Sequence, residues 1–345
     1  MKLLYEQSQF PVLQNRVYDS ADEAINCIKG EIRIVENSQT GLIQNDLFNP
    51  NLLNYDQNYN NEQGFSLAFQ NHLTQVSSLV EDHLGRTGLL EVGCGKGFFL
   101  ELLLGRGNDV LGFDATYEGT NPRIIKKNFE PGIISKPARA LILRHVLEHI
   151  PNPYDFLCSL RDANGGSGLI YIEVPCLEWI INKRAWYDIF YEHVNYFRLY
   201  DFQRFFGKVV KSGRIFGGQY LFIIAELSSL RRPVKGKSDS VEFPSDFLES
   251  LSSIRHPAVV WGGASKGVVF SLLCNRLGKP ISMAIDSNPF KQGKFLPATG
   301  IPVISPETAM AVLPNDTIVY VMNSNYLEEI KKMSSNKFQY KTLDL

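Results

Sequence analysis

The sequence predicts an α/β protein of two units, each a parallel sheet covered by helices on both faces. Three observations carry this reading. Over residues 63–230, short apolar runs alternate with helix-length stretches, as strand–helix–strand repeats do. A polar, proline-bearing stretch at 228–246 interrupts the alternation and reads as a linker. The alternation then resumes on a smaller scale over 247–345.

Residues 1–62 precede the first unit and are polar, rich in Asn and Gln and weakly periodic. The piece Glu31-Ile32-Arg33-Ile34-Val35 has the composition of a strand, and Tyr55-Asp56-Gln57-Asn58-Tyr59-Asn60-Asn61 reads as a loop. From Phe65 a helical face forms through Leu73, Val76, Val80 and Leu84. Strands are expected at 89–92, 109–113, 124–128, 140–143 and 168–174, with helices between them, and 219–225 closes the sheet. In the second unit a strand at 258–261 leads through a glycine turn into a helix near 266–277. Strands at 281–285 and 317–322 and a helix at 326–333 follow. The two units share an architecture but no repeated sequence.

Composition excludes several classes. Of 345 residues, 44% are hydrophobic and 21% charged, enough apolar mass for true cores. The formal net charge of −1 leaves no basic excess for a polynucleotide, so no nucleic-acid partner is expected. Charge for a phosphorylated ligand must then be local. No apolar run approaches the ~20 residues of a membrane span. The start Met1-Lys2-Leu3-Leu4-Tyr5-Glu6 lacks a signal-peptide core, so the cytoplasm is the expected compartment and no membrane partner is foreseen. The five cysteines, Cys27, Cys94, Cys158, Cys176 and Cys274, are scattered, which argues against both a disulfide framework and a zinc ribbon.

The strongest local signal is Leu89-Leu90-Glu91-Val92-Gly93-Cys94-Gly95-Lys96-Gly97-Phe98. A buried strand enters a turn with glycines at alternate positions, then a helix. Glycine lets the backbone approach a ligand closely, and the helix start offers free N–H groups. Asp114 stands 17 residues beyond Gly97, at the end of the next strand, where a carboxylate can accept both hydroxyls of a ribose. A dinucleotide fold uses the same logic but requires G-x-G-x-x-G, and Phe98 occupies the last glycine position. The pattern E-x-G-x-G-x-G instead resembles motif I of the class I (Rossmann-like) methyltransferases. That resemblance implies S-adenosylmethionine as cofactor. Glu91 would face its methionine end, Gly93, Gly95 and Gly97 would line it, Asp114 would hold the ribose and Asn128 would meet the adenine.

Leu143-Arg144-His145-Val146-Leu147-Glu148-His149-Ile150-Pro151 contains H-x-x-E-H, a spacing also found in zinc peptidases. Pro151 ends any helix there after one turn. The segment resembles the stretch after the fourth strand of many methyltransferases, which implies a wall of the cofactor pocket that includes His145. No metal is expected at this motif.

After the fifth strand an aromatic run, Trp186-Tyr187-Asp188-Ile189-Phe190-Tyr191-Glu192-His193-Val194-Asn195-Tyr196-Phe197, gathers an acid, an imidazole and phenols. These are groups suited to proton transfer near neutral pH, on a loop at the carboxyl end of the sheet. A packed aromatic segment is the competing interpretation. With Gly262-Gly263-Ala264-Ser265-Lys266-Gly267 and Asp286-Ser287-Asn288-Pro289-Phe290-Lys291-Gln292-Gly293 downstream, the chain from about residue 50 resembles the sugar C-methyltransferases that act on nucleotide-linked keto-deoxysugars. The resemblance implies His193 as general base, oriented by Glu192, with Tyr191 or Tyr196 donating to an enolate oxygen. Tyr55 or Tyr59 would close over the site, and His149, Lys266 and Lys291 would meet a nucleotide-sugar and its phosphates. A purely structural C-terminal unit is the alternative.

Two departures from that family stand out. Its N-terminal zinc site uses four cysteines, whereas only Cys27 lies in this region, so no zinc is expected. Its Tyr-His before Glu-His is Phe190-Tyr191 here, which moves the phenol by one residue. O- or N-methylation of a sugar or secondary metabolite, and a non-catalytic cofactor-binding protein, therefore stand as alternatives.

Overall fold

The computed structural model describes the chain apart from Tyr55, Gln57, 61–63, Phe65, 237–239 and Leu345. The residues read as a polar N-terminal stretch build an antiparallel sheet from β1 (Lys2–Pro11), β2 (Lys29–Glu36) and β3 (Ile43–Asn45), with α1 (Ala21–Ile25) between the first two strands. Alternation on β2 buries Gly30, Ile32 and Ile34 on one face. Gly30 has no side chain because the Tyr191 ring occupies the space where its Cβ would be.

Helix α2 (Leu67–Leu84) begins at Ser66, whose hydroxyl accepts from the Phe69 N–H, and buries Phe69, Leu73, Val76, Val80 and Leu84. Its N-terminus also receives a carboxylate from the far end of the chain. Glu329 accepts from Ser66 Oγ at 2.7 Å, Leu67 N at 3.0 Å and Ala68 N at 3.1 Å.

The central sheet follows: β4 (Leu89–Val92), α3 (Phe98–Gly105), β5 (Val110–Phe113), β6 (Ile124–Ile125), β7 (Ala140–Arg144), α4 (Pro153–Ala163) and β8 (Leu169–Pro175). Short helices α5 (Leu177–Asn182) and α6 (Leu199–Phe205) flank β9 (Asn195–Tyr196), which returns to pair with β3. Strands β10 (Val209–Ile215) and β11 (Tyr220–Glu226) then add antiparallel to β8, giving the order β10-β11-β8-β7-β4-β5-β6. Strand β4 is buried throughout because parallel neighbours and helices cover it on every side.

The sequence reading differs here in one respect. Helices were expected between all the strands, yet turns join β5 to β6 and β6 to β7. Gly119 and Pro122 break the first connection, and Pro131, Gly132 and Pro137 the second. The third strand stops at Ile125, three residues short of Asn128.

After the segment that carries α7 (Glu249–Ser252), the second parallel sheet forms from β12 (Ala258–Trp261), β13 (Ala284–Ile285), β14 (Val303–Ile304), β15 (Ile318–Val321) and β16 (Gln339–Thr342), ordered β14-β13-β12-β15-β16. Helices α8 (Ser265–Arg276), α9 (Pro306–Val312) and α10 (Leu327–Met333) cover it. No helix among the described residues is long and apolar enough to cross a membrane.

Candidate active site

A cavity of about 440 Å³ opens between the two parallel sheets, at the carboxyl ends of their central strands. Glu91 on β4 and Gly93, Cys94, Gly95 and Lys96 after it line one side, and Trp261, Gly262, Lys266 and Asp286 to Asn288 line the other. His145, Glu148 and His149 after β7 and Asp188, Phe190, Glu192 and His193 after β8 complete the wall.

The loop after β4 needs its glycines. Gly93, Gly95 and Gly97 have φ of 71°, 53° and 85°, and a Cβ on Gly93 would strike the Val146 side chain. Nothing lies within 4 Å of where a Gly95 Cβ would stand, so the backbone faces open space there. Gly97 caps α3 behind the loop and does not line the cavity. Asp114 lies beside the loop rather than on the cavity wall. One of its oxygens accepts the Gly95 N–H at 2.8 Å, and the other accepts the Thr116 N–H at 2.8 Å and hydroxyl at 2.7 Å. Asn128 is exposed, beyond the third strand and off the cavity wall.

Behind the loop sits a buried polar network that sequence reasoning did not find. Glu173 on β8 is fully buried, contacting His72 Nε2 at 2.8 Å, Arg144 Nε at 3.0 Å, His145 Nε2 at 3.1 Å and the Tyr171 hydroxyl at 2.9 Å. Burial opposes its charge, but Arg144, His145 and His72 outweigh that and hold its carboxyl well below the usual range. His145 is likewise disfavoured as a cation by burial, yet Glu148 and Glu173 raise its pKa to about 9. Glu91 is pushed up to about 7 by burial, which Arg144 only partly offsets. One Glu91 oxygen is buried without a hydrogen-bond partner among the described residues. Of its members the sequence analysis singled out His145, in the H-x-x-E-H motif; its partnership with Glu173, Arg144 and His72 is a matter of tertiary packing.

The H-x-x-E-H motif forms no helical face. His145 has φ of +52°, and only the single 3₁₀ turn Leu147–His149 follows it. His145 therefore turns to Glu173, while His149 Nδ1 donates to the Glu192 carbonyl at 2.8 Å. The His149 and His193 rings meet edge to face at 5.0 Å, and the Phe190 and His193 rings lie 4.0 Å apart. Burial first, then the positive potential of His149, His145 and Lys266, lowers the His193 pKa well below the ordinary imidazole value, so His193 is neutral at pH 7. Glu192 Oε2 accepts the Gln14 N–H at 3.0 Å from the N-terminal segment.

The expected phenols lie elsewhere. Tyr191 is buried, its oxygen accepting the Asn49 N–H at 2.8 Å, and Tyr196 donates to the Phe190 carbonyl at 3.1 Å. The chain turns at Tyr191 and Glu192, which brings Glu192 and His193 to the cavity while the Tyr191 and Tyr196 phenols bond within the protein. Neither phenol lines the cavity, which corrects their expected place beside the reacting atoms. Tyr59 does line it; Tyr55 lies outside the described residues.

On the C-terminal side, Gly263 N donates to Asp286 Oδ2 at 2.7 Å, holding the loop that starts α8. Lys266 and Lys291 both line the cavity. Lys266 ion-pairs with Asp188 at 3.1 Å and lies over the Trp179 ring. Lys291 is 3% exposed, and burial lowers its pKa against the pull of Asp286.

Residues 70–209 match a family model described as a methyltransferase domain, and residues 239–341 match one described as a C-methyltransferase C-terminal domain. The chain is 24% identical over 306 residues to C-methyltransferase NovU of Streptomyces niveus, covering 75% of this chain and 72% of that protein. Among solved structures, a SAM-dependent methyltransferase from Archaeoglobus fulgidus is 18% identical, covering 47% of this chain and 100% of its own, with a TM-score of 0.32. The Burkholderia thailandensis 1,6-didemethyltoxoflavin-N1-methyltransferase, with bound 1,6-didemethyltoxoflavin and S-adenosylhomocysteine, is 15% identical, covering 46% of this chain and 80% of its own, with a TM-score of 0.36.

Proposed function

Because the chain belongs to the S-adenosylmethionine-dependent methyltransferases that carry a C-methyltransferase C-terminal domain, we propose that it methylates the carbon beside a carbonyl in a nucleotide-linked keto-deoxysugar. The observation that carries this reading is the sharing of one cavity by the Gly93–Lys96 loop and the neutral imidazole of His193.

The residues around the loop fit the cofactor. An unpartnered oxygen of buried Glu91 suits a cationic amino-acid end, and the open face at Gly95 leaves room for a ligand against the backbone. S-adenosylmethionine supplies an electrophilic methyl group there. Asp114, beside the loop, accepts from the ribose hydroxyls by exchanging its present donors. His145 forms the wall above Glu173.

The chain's own task is to make a carbon nucleophile. A proton beside a ketone leaves only when a base meets it and the enolate is held. His193 has the free lone pair for this, and a positioned base contributes typically 10²–10⁴-fold. The carboxylate of Glu192 in the same cavity offsets the imidazolium that results. Lys291, with Lys266 once it leaves Asp188, meets the diphosphate from the C-terminal side. In this reading residues 247–345 enclose the nucleotide, residues 63–230 hold the cofactor and residues 1–62 supply Tyr59.

The test separates proton removal from methyl transfer. With a nucleotide-linked keto-sugar in heavy water, and S-adenosylhomocysteine in place of the methyl donor, the enzyme washes deuterium into the α-carbon. His193→Ala abolishes that exchange and leaves cofactor affinity unchanged. Methylation of an oxygen without α-exchange defeats the reading.

A further inference from the structure

The side chains of Glu148, His149 and His193 form a cluster that the H-x-x-E-H spacing did not foresee. One ligand-capable atom from each lies within 4.8 Å of the others. His145, the first histidine of the motif, is turned away to Glu173, and His193 from the next loop takes its place. Two histidines and one carboxylate are a ligand set for zinc and other divalent transition metals.

Two further observations point to a cation. Glu148 is 1% exposed, and neither of its carboxylate oxygens makes a hydrogen bond among the described residues. Its ion pair with His145 Nδ1 spans 3.4 Å. A buried carboxylate with one long ion pair and no hydrogen bond among the described residues retains lone pairs for a cation. Second, His149 Nδ1 donates to the Glu192 carbonyl at 2.8 Å. A carbonyl only accepts, so Nδ1 carries a proton, and in the neutral ring the lone pair is on Nε2. Metal-binding histidines are held by the same outer hydrogen bond. Ligand atoms on a tetrahedral ion at ~2.1 Å are roughly 3.4 Å apart, so small side-chain rotations close the set. The cavity leaves the remaining positions of the ion open.

We propose that Glu148, His149 and His193 form a binding site for a divalent transition metal, with zinc the best match, and that its occupancy switches off the enzyme. The ion takes the lone pair that His193 needs to remove a proton. Binding stands on the geometry alone, whereas the inhibitory consequence rests on the base reading given above.

The test uses the full chain, stripped with a chelator. Titrated with Zn²⁺ in a calorimeter, it binds one equivalent, and Co²⁺ gives the visible absorption of a low-coordinate nitrogen–oxygen site. Glu148→Gln, nearly isosteric but a poor ligand, weakens Zn²⁺ binding at least tenfold, while a native circular dichroism spectrum and cooperative melting show that it is folded. Bound Zn²⁺ suppresses deuterium exchange into the keto-sugar, and chelator restores it. Absence of stoichiometric binding, equal affinity in Glu148→Gln, or unchanged exchange with the site filled overturns the proposal. A metal-free protein that performs no exchange yet binds Zn²⁺ through Glu148 defeats the base reading and leaves the metal site standing.

Discussion

Asp114 and Asp286 hold matching positions in the two parallel sheets. Each follows the strand next to a glycine loop and accepts one N–H from it, Asp114 from Gly95 at 2.8 Å and Asp286 from Gly263 at 2.7 Å. The two carboxylates brace two loops that face one cavity from opposite sides.

Their ligands should differ accordingly. Asp114→Ala is expected to weaken S-adenosylhomocysteine binding by roughly ten- to a hundredfold, since a charge-assisted hydrogen bond contributes about 1.5–3 kcal/mol. Asp286→Ala should leave that affinity within about twofold and raise KM for the sugar substrate. Calorimetry and steady-state kinetics on both variants check the pair; reversed effects would assign the two loops the opposite ligands.

Glu91 gives a pH signature. Its carboxyl is pushed up to about 7, so it is largely protonated at pH 6 and ionised at pH 8. If Glu91 faces the methionine end as proposed, its anion favours the sulfonium cofactor over the product that lacks that charge. The affinity ratio of S-adenosylmethionine to S-adenosylhomocysteine should therefore rise severalfold between pH 6 and pH 8. Taking the ratio cancels the titration of the amino group that both molecules share. Glu91→Gln should flatten the profile.

Lys291 separates substrate from cofactor. Lys291→Met removes a buried ammonium from the C-terminal wall while keeping its apolar stem. KM for the nucleotide-sugar should rise about ten- to a hundredfold through loss of a charge-assisted contact. The turnover number should change far less, and product-cofactor affinity should not change. An equal fall in kcat would place the ammonium at the reacting centre instead.

Gly267 lies in the first turn of α8, where an added Cβ would enter the Gly262 carbonyl oxygen. Gly267→Ala must move the loop that lines the substrate side. A loss of about 1–3 kcal/mol is expected in urea unfolding, the usual cost of overpacking. A variant with wild-type stability would show that the loop gives way freely.

Much of this molecule was legible in its sequence because the signals are local. Glycines at alternate positions mark the loop after β4 that lines the cavity, and the run through Glu192 and His193 marks a further part of its wall. Other features had no such signal. Strand β1 carries Glu6, Gln7 and Ser8 among its apolar residues, and becomes a strand by pairing with β2 rather than by alternation of its own. The direction of Tyr191 was hidden because it depends on Asn49 and Gly30, remote in sequence. The Glu173 network joins α2, β7 and β8, and no single segment displays it.

The carboxylate of Glu329 at the start of α2 has a consequence for the order in which the protein matures. Translation delivers α2 long before it delivers α10, so the first helix of the cofactor side leaves the ribosome with those N–H groups still facing water. Ser66 can cap it from the outset, but the anion arrives only when synthesis has passed residue 329. The N-terminus of α2 is thus completed by one of the last elements made. A nascent chain halted before α10 should hold α2 less firmly than the finished protein does, a difference that proteolysis of stalled chains can read.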